Sequence, residues 1–479
     1  MLFFWQKIMK RNILLALSGL GALFCNALAE STPTSPIPSD DEIRSIIVDR
    51  IDNQKQSLGI VVGVIEPTGR RLVAYGSLDA KDKRPLNGDT VFEIGTTTKV
   101  FTSLLLADMA QHGEVALTDP VAKFLPKTVK LPERILHITL QDLATHTSGL
   151  PRNPTNLFPE NSDNPYADYT TKKLYEFLTS YRLSTDPPAE WEYSNVGGGL
   201  LGHALALRAA VSYEALVRTR IADPLGMKST GITLSHDMVS RFAVGHDSKL
   251  NPVSPWDFQV LAGAGALRST ANDLLNFLAA VLGYSKTPLA PAMASMLKVR
   301  RPTTWDVEME NALGWQVSSL TAGRELIRKD GATYGFSSFI GYDPKLRVGV
   351  VALSNAFSAT GVNDIGLHLL DQHYPLQGRK QREVSVDPKL YDNYVGTYQL
   401  GPTVSLTITR EEKHLFATMI GQQKFEIFPQ SDINFFYKIF NSQITFEPDS
   451  QGRATSLILH FSGKHQRAKR IEEQASSPK

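Results

Sequence analysis

The 479-residue chain contains one cysteine, Cys25, so neither a disulfide framework nor a thiolate metal site can be built from it. Its 11 histidines are scattered, and none stands in a His-Glu-x-x-His or similar ligand spacing. A basic excess is missing too: the net charge is +2, with no basic run of the kind that marks nucleic-acid binders. There is no Gly-x-Ser-x-Gly elbow and no phosphate-binding P-loop. The N-terminal apolar run falls short of the ~20 residues a membrane span needs. What is present is ordinary, with 42% apolar and 20% charged residues. The length suffices for two or three domains at ~100–200 residues each. These features describe a globular protein without cofactor, metal or nucleic-acid partner.

The first 29 residues read as a secretory leader. Lys7, Lys10 and Arg11 form a positive start, Ile13 to Phe24 a short apolar run, and Ala27-Leu28-Ala29 a cleavage site with small residues. Cleavage there changes the net charge from +2 to about −1 and removes the only cysteine. Phe24 ahead of Cys25 does not suit a lipoprotein site. The expected location is therefore periplasmic or extracellular. Retention of the leader as an N-terminal anchor is the alternative.

Beyond a Ser/Thr/Pro-rich tether, Ser31 to Asp41, isoleucines 43, 46, 47 and 51 predict a helix over Glu42 to Ile51. Ile60 to Glu66 and Arg71 to Tyr75 predict a hairpin about Pro67-Thr68-Gly69. Lys99 to His112 predicts a buried helix stopped by Gly113, and helical segments then dominate to about Leu297. Strands return at Gly314 to Leu320, Glu325 to Arg328, Phe336 to Tyr342 and Val348 to Leu353. Lys329-Asp330-Gly331 is expected at the turn between the middle pair, and Asp343-Pro344-Lys345 at the next. The pattern is α+β: an antiparallel sheet built from both ends of the region, flanked by helices, with a helical insertion.

Residues 374–388, with Pro375, Gly378 and a charged cluster, are expected to link this region (30–373) to a second one (389–472). There, short segments alternate at period two: Val404-Leu406-Ile408, Leu415-Ala417-Met419, Phe425-Ile427, Phe435-Tyr437-Ile439, Ile444-Phe446 and Leu457-Leu459-Phe461. Such spacing predicts a small antiparallel β-barrel. The barrel is expected to serve binding or assembly, including homo-oligomer formation. No internal repeat is present.

Three short motifs carry chemistry. Thr96 and Lys99 stand three residues apart at the start of the buried helix, so they share a face with Cβ atoms ~5–6 Å apart. A hydroxyl there has helix N–H groups for developing negative charge, and a lysine of lowered pKa for a base. Capping alone also places threonines before such a helix. Tyr193-Ser194-Asn195, ahead of Gly197-Gly198-Gly199, offers a proton shuttle and an amide that orients a carbonyl, or simply a buried aromatic before a helix start. Lys329-Asp330-Gly331-Ala332 offers a cation for a carboxylate and a glycine for close approach, or an exposed turn lysine. Ser295 and Lys298 repeat the first spacing by accident.

In chain order the three motifs resemble the Ser-x-x-Lys, Tyr-x-Asn and Lys-Thr-Gly signature of the serine β-lactamase and penicillin-binding-protein superfamily. Class C β-lactamases and related D-Ala-D-Ala carboxypeptidases and esterases are the nearest in pattern. Phe92-Glu93-Ile94-Gly95, Leu143 to Pro151, Pro224-Leu225-Gly226-Met227 and Gly331 to Pro344 are similar to that family as well. The likeness spans roughly residues 40–370, and the tail resembles the lipocalin-like barrel appended to some members. Threonine replaces the family serine at position 96, and Asp330 stands where many members carry threonine.

The resemblance implies acyl-enzyme hydrolysis of a β-lactam, D-Ala peptide, amide or ester. Thr96 is then the nucleophile, Lys99 the base and Tyr193 the shuttle. Asn195 and Lys329 bind the substrate's amide and carboxylate. The site closes with Gly331 and with an oxyanion hole made by the N–H groups of Thr96 and Ala332. The threonine leaves two outcomes: a slow hydrolase, or a protein that binds peptidoglycan-type or β-lactam ligands without turnover.

Overall fold

The computed structural model describes residues 35–471 apart from 83, 304–308, 321–322, 359, 378–382, 402–403, 420–423, 439–441 and 462–463. The leader, Met1 to Ala29, and Ile439 lie outside the described residues. From Pro36 onward the chain forms one unit.

The hairpin forms where the sequence places it, as β1 (Gly59–Glu66) and β2 (Gly69–Gly76). The other strands of the main sheet are β3 (Arg301–Pro302), β4 (Met309–Asn311), β5 (Gln316–Ser319), β6 (Glu325–Ala332), β7 (Ser337–Asp343) and β8 (Val348–Ser354). The sheet is antiparallel throughout, in the order β2-β1-β8-β7-β6-β5-β4-β3, so β1 pairs with β8 across almost 300 residues of sequence.

All of β1 is buried, and its alternation decides what packs where. Ile60, Val62 and Val64 face a cluster with Ile43 and Ile47 of α1 (Asp40–Val48) and Ile365 of a late helix (Asn363–Leu370). Val61 and Ile65 face the other way, into the larger helical core. Ser39 caps α1, accepting from Glu42 N at 3.3 Å while the Glu42 carboxylate accepts from Ser39 N at 2.8 Å.

The larger core is centred on α2 (Thr98–Gln111), whose residues from Thr98 through Met109 are all buried. Burying side chains such as Phe101, Leu104 and Leu105 stabilises the fold by about 1.5–3 kcal/mol each. Around α2 lie α3 (Leu140–Thr145), α4 (Asn195–Ala209) and α5 (Ala271–Val281). The glycines of α4 permit close packing: a Cβ at Gly202 would stand 2.8 Å from the Gly263 Cα.

One turn is placed differently from the sequence expectation. Lys329-Asp330-Gly331 does not end a strand, because β6 continues through Ala332 and pairs as far as Ala332 with Ser337. The turn lies at residues 333–336, closed by Thr333 N donating to the Phe336 carbonyl at 3.1 Å. Lys-Asp-Gly has turn chemistry, but the adjacent strand and the glycine's packing keep it extended.

The tail is a closed eight-stranded antiparallel barrel in sequence order, from Gly396–Gly401 to Lys464–Ile471. Its interior is filled by side chains including Tyr398, Leu406, Leu415, Phe435, Ile444 and Phe446. It touches the preceding segment where Thr445 donates to the His373 carbonyl at 3.2 Å and the His465 ring stands edge-on to Tyr374 at 5.2 Å.

Candidate active site

Thr96 sits in a single tight turn (Gly95–Thr97) between a short strand and the N-terminus of α2. Two glycines allow β6 to lie directly against this turn. Gly95 has φ +49°, and a Cβ there would lie 2.6 Å from the Ala332 carbonyl oxygen and 2.8 Å from Ala332 N. A Cβ at Gly331 would be driven into the Ile94 carbonyl and would lie 2.7 Å from Thr97 N. Ser338 on β7 then pins the turn, donating to the Ile94 carbonyl at 2.7 Å with Thr97 Oγ1 2.9 Å away. The first and third motifs are thus joined backbone to backbone.

Lys99, 3% exposed, donates from Nζ to Asn195 Oδ1 and to the Ala264 carbonyl, each at 2.8 Å. Its stem crosses Gly198, where a Cβ would lie 2.9 Å from the Lys99 Cε. The glycine run after the second motif therefore makes room for the lysine of the first. Asn195 Nδ2 donates to Asn153 Oδ1 and to the Tyr166 hydroxyl, each at 3.2 Å, so both ends of its amide are fixed. Ser194 caps α4: its Oγ accepts from Gly197 N and donates to the Pro151 carbonyl, each at 2.8 Å.

Tyr193 remains partly exposed on the cleft floor, ringed by cations. Lys99 Nζ, Lys329 Nζ and Arg152 Cζ lie 5.0, 4.9 and 5.1 Å from its ring centroid. Thr96 and Lys99 are polar neighbours of the Tyr193 hydroxyl. Thr96 Oγ1 itself donates to the Asp330 carbonyl at 3.1 Å.

The charges act in a consistent direction. Desolvation strips the Lys99 ammonium, Lys329 and Arg152 repel it, and despite the attraction of Tyr193 its pKa falls to about 8. Burial alone would raise Tyr193, but the positive charges of Lys329 and Lys99 and the bonds to Thr96 and Lys99 outweigh it and bring the phenol down to about 8. Two groups of opposite charge type are thereby brought to the same range beside one hydroxyl.

All seven residues singled out from the sequence, Thr96, Lys99, Tyr193, Asn195, Lys329, Gly331 and Ala332, belong to this one cleft. Ser295 takes no part, donating to the Ala292 carbonyl at 2.7 Å. Four further residues escaped the sequence reading. His146 (φ +63°) lies tilted against Tyr193 with ring centroids 4.6 Å apart and accepts from Ser194 N at 3.2 Å. Burial, with Lys329 and Lys99 nearby, holds its imidazole well below the usual range, so it is neutral at pH 7. Arg152 and Asn153 follow Pro151, and Tyr166 stacks on Phe258 at 4.8 Å. The family-like stretch Leu143 to Pro151 contains His146 and was its only sequence signal; Arg152, Asn153 and Tyr166 lie beyond that stretch. Among the described residues no group of His, Cys, Asp or Glu could hold a metal ion.

A sheet assembled from the two ends of the region before the barrel, with a threonine, a buried lysine, a tyrosine and a strand lysine meeting beside strand β6, defines a protein of the β-lactamase and penicillin-binding-protein class. Residues 44–373 match the Beta-lactamase family model, and the chain belongs to that family. Residues 380–470 match a domain of unknown function, DUF3471.

A β-lactamase of Pseudomonas fluorescens is 27% identical over 66% of this chain and 94% of its own. The D-alanyl-D-alanine-carboxypeptidase/endopeptidase AmpH of Escherichia coli K12 is 28% identical over 74% of this chain and 96% of its own. Among solved structures, a class C β-lactamase from Rhodobacter sphaeroides superposes with TM-score 0.61 at 26% identity, covering 70% of this chain and 98% of that one.

Proposed function

We propose that the protein is an exported hydrolase that works through an acyl-enzyme on Thr96, on amides or esters whose leaving portion carries a carboxylate. The observation that carries this reading is the convergence of the Thr96 turn, the buried Lys99 held by Asn195 and Ala264, and Tyr193 with Lys99 Nζ and Lys329 Nζ 5.0 and 4.9 Å from its ring centroid. Thr96 Oγ1 forms a bond to the substrate carbonyl carbon, and its proton passes to the Lys99–Tyr193 pair. The oxyanion lies between the N–H groups of Thr96 and Ala332, whose backbones the Gly95 packing brings together. The scissile bond breaks as Tyr193 gives a proton to the departing group. Water then adds to the acyl carbon, its proton goes to the same pair, and Thr96 Oγ1 leaves reprotonated. Asn195 supports the substrate amide, and Lys329 holds the carboxylate.

Export is proposed from the leader sequence. Among the described residues no single helix is long and apolar enough to cross a membrane; one bent pair, Asn195–Ala209 with Tyr213–Ala222, meets the length and composition criteria jointly.

A second reading, binding without turnover, is favoured by the bond from Thr96 Oγ1 to the Asp330 carbonyl, which points the hydroxyl proton at the backbone and not at a base. Profiling the purified protein with fluorescent penicillin and a chromogenic ester panel separates the two. Hydrolysis that disappears in Lys99→Ala supports the enzyme; reversible penicillin binding without turnover in the wild type supports the binder. Turnover that survives Lys99→Ala would end the three-motif mechanism.

A further inference from the structure

The cleft holds a cation to which the acyl-transfer steps assign no substrate group. Arg152 lies in the loop after α3, with its side chain exposed. Its guanidinium carbon is 5.1 Å from the Tyr193 ring centroid, and among the described residues it has no ion-pair partner. Unpartnered arginines on a surface are usually mobile, but the backbone here is fixed. The Arg152 carbonyl accepts from Asn195 N at 2.8 Å and from Val196 N at 3.4 Å, capping the helix that carries Asn195. The next residue, Asn153, accepts from Asn195 Nδ2 at 3.2 Å and from the Tyr166 hydroxyl at 2.8 Å. Arg152 is therefore anchored to the amide proposed to hold the acyl side of the substrate. Lys329 comes from a different element, strand β6, and its Nζ lies 4.9 Å from the same ring centroid.

We propose that Arg152 is a specificity-determining residue that recognises an acidic group in the acyl portion of the substrate. The preferred substrate class then carries two anions, a carboxylate on the leaving portion for Lys329 and a second on the acyl portion for Arg152. This rests on the acyl-transfer reading only for which side of the scissile bond each cation serves. The chemistry fits: a guanidinium presents a planar fork of donors that matches a carboxylate with two hydrogen bonds. A substrate carboxylate also supplies the anionic partner that this arginine lacks.

The test compares N-succinyl-D-alanine with N-butyryl-D-alanine, which differ by one acyl-side carboxylate, by calorimetric titration of the full chain. The wild type should bind the succinyl compound about tenfold more tightly, as a charge-assisted pair predicts. Arg152→Ala should bring that ratio to about one, and Arg152→Lys should retain part of it. Lys329→Ala should weaken both ligands and leave the ratio standing. A wild type without the preference, or a preference that persists in Arg152→Ala, would overturn the proposal. So would equal weakening of both ligands by Arg152→Ala, which would make Arg152 a positioning residue for Tyr193. The titration needs no turnover. Failure of the wild type to hydrolyse p-nitrophenyl butyrate would instead count against the acyl-transfer reading alone.

Discussion

Replacing Lys329 with methionine keeps most of the side-chain volume in a site only 4% exposed and removes one positive charge from beside Tyr193. That charge lies 4.9 Å from the ring centroid and is the largest influence pulling the phenol down against burial. It also repels the Lys99 ammonium. A unit charge at ~5 Å is worth about 3 kcal/mol at an effective dielectric of ~20 and about 0.8 kcal/mol in water-like surroundings. The cleft lies between these limits, so the working pair should titrate about 1–2 pH units higher without it.

The sign is set by which form works. Both groups are lowered toward about 8, so the deprotonated pair fills above that pH and is lost below it. For a neutral p-nitrophenyl ester, which makes no use of Lys329 as an anion site, wild-type kcat/KM should rise to a plateau above pH ~8. In Lys329→Met the inflection should move upward while the plateau changes less. Stopped-flow hydrolysis from pH 6 to 10, corrected for the spontaneous rate, reads both. An inflection that stays in place or moves down would refute the electrostatic argument.

Other consequences are simpler to read. Gly198→Ala puts a methyl 2.9 Å from the Lys99 Cε, so the lysine stem must shift from the position that holds its ammonium on Asn195 and Ala264. We expect kcat to fall about tenfold or more, with little change in melting temperature because alanine favours the helix; an unchanged kcat would show that the lysine needs no such placement. Deleting residues 389–479 should leave a folded protein with ester hydrolysis within about tenfold of the full chain and an altered oligomeric state or substrate range. An unfolded product would show that the barrel shares a core with the sheet.

The parts of the fold that could be read directly are those where one physical signal dominates. Lys99 to His112 is apolar on every side, and α2 is indeed the central buried helix. The β1–β2 hairpin and the six alternating barrel segments follow from period two. The two strands that close the barrel were not marked out, for a reason visible in their composition. Gly396–Gly401 turns only Tyr398 and Leu400 inward, and Lys464–Ile471 presents only Ala468 to the interior cluster among His465, Arg467 and Lys469. Hydropathy carries little of either pairing. At the site, local spacing brought Thr96 and Lys99 together, and family likeness placed Tyr193, Asn195 and Lys329 near them. His146, Arg152 and Tyr166 reach the cleft through loops whose course depends on contacts far apart in sequence, which no local pattern encodes.

The central claim is that Thr96 is acylated, and intact-protein mass spectrometry with peptide mapping after a slow acylating agent tests it most directly. Relief of one excess methyl is typically worth ~1–3 kcal/mol, and ~1.4 kcal/mol is tenfold in rate. Thr96→Ser should therefore acylate and turn over about tenfold faster, chiefly in kcat, and Thr96→Ala should form no adduct. The account predicts the wild-type adduct on Thr96. An adduct on Ser194, which is fully buried and already bonded to Gly197 N and Pro151 O, or no adduct with either threonine or serine at position 96, would contradict it.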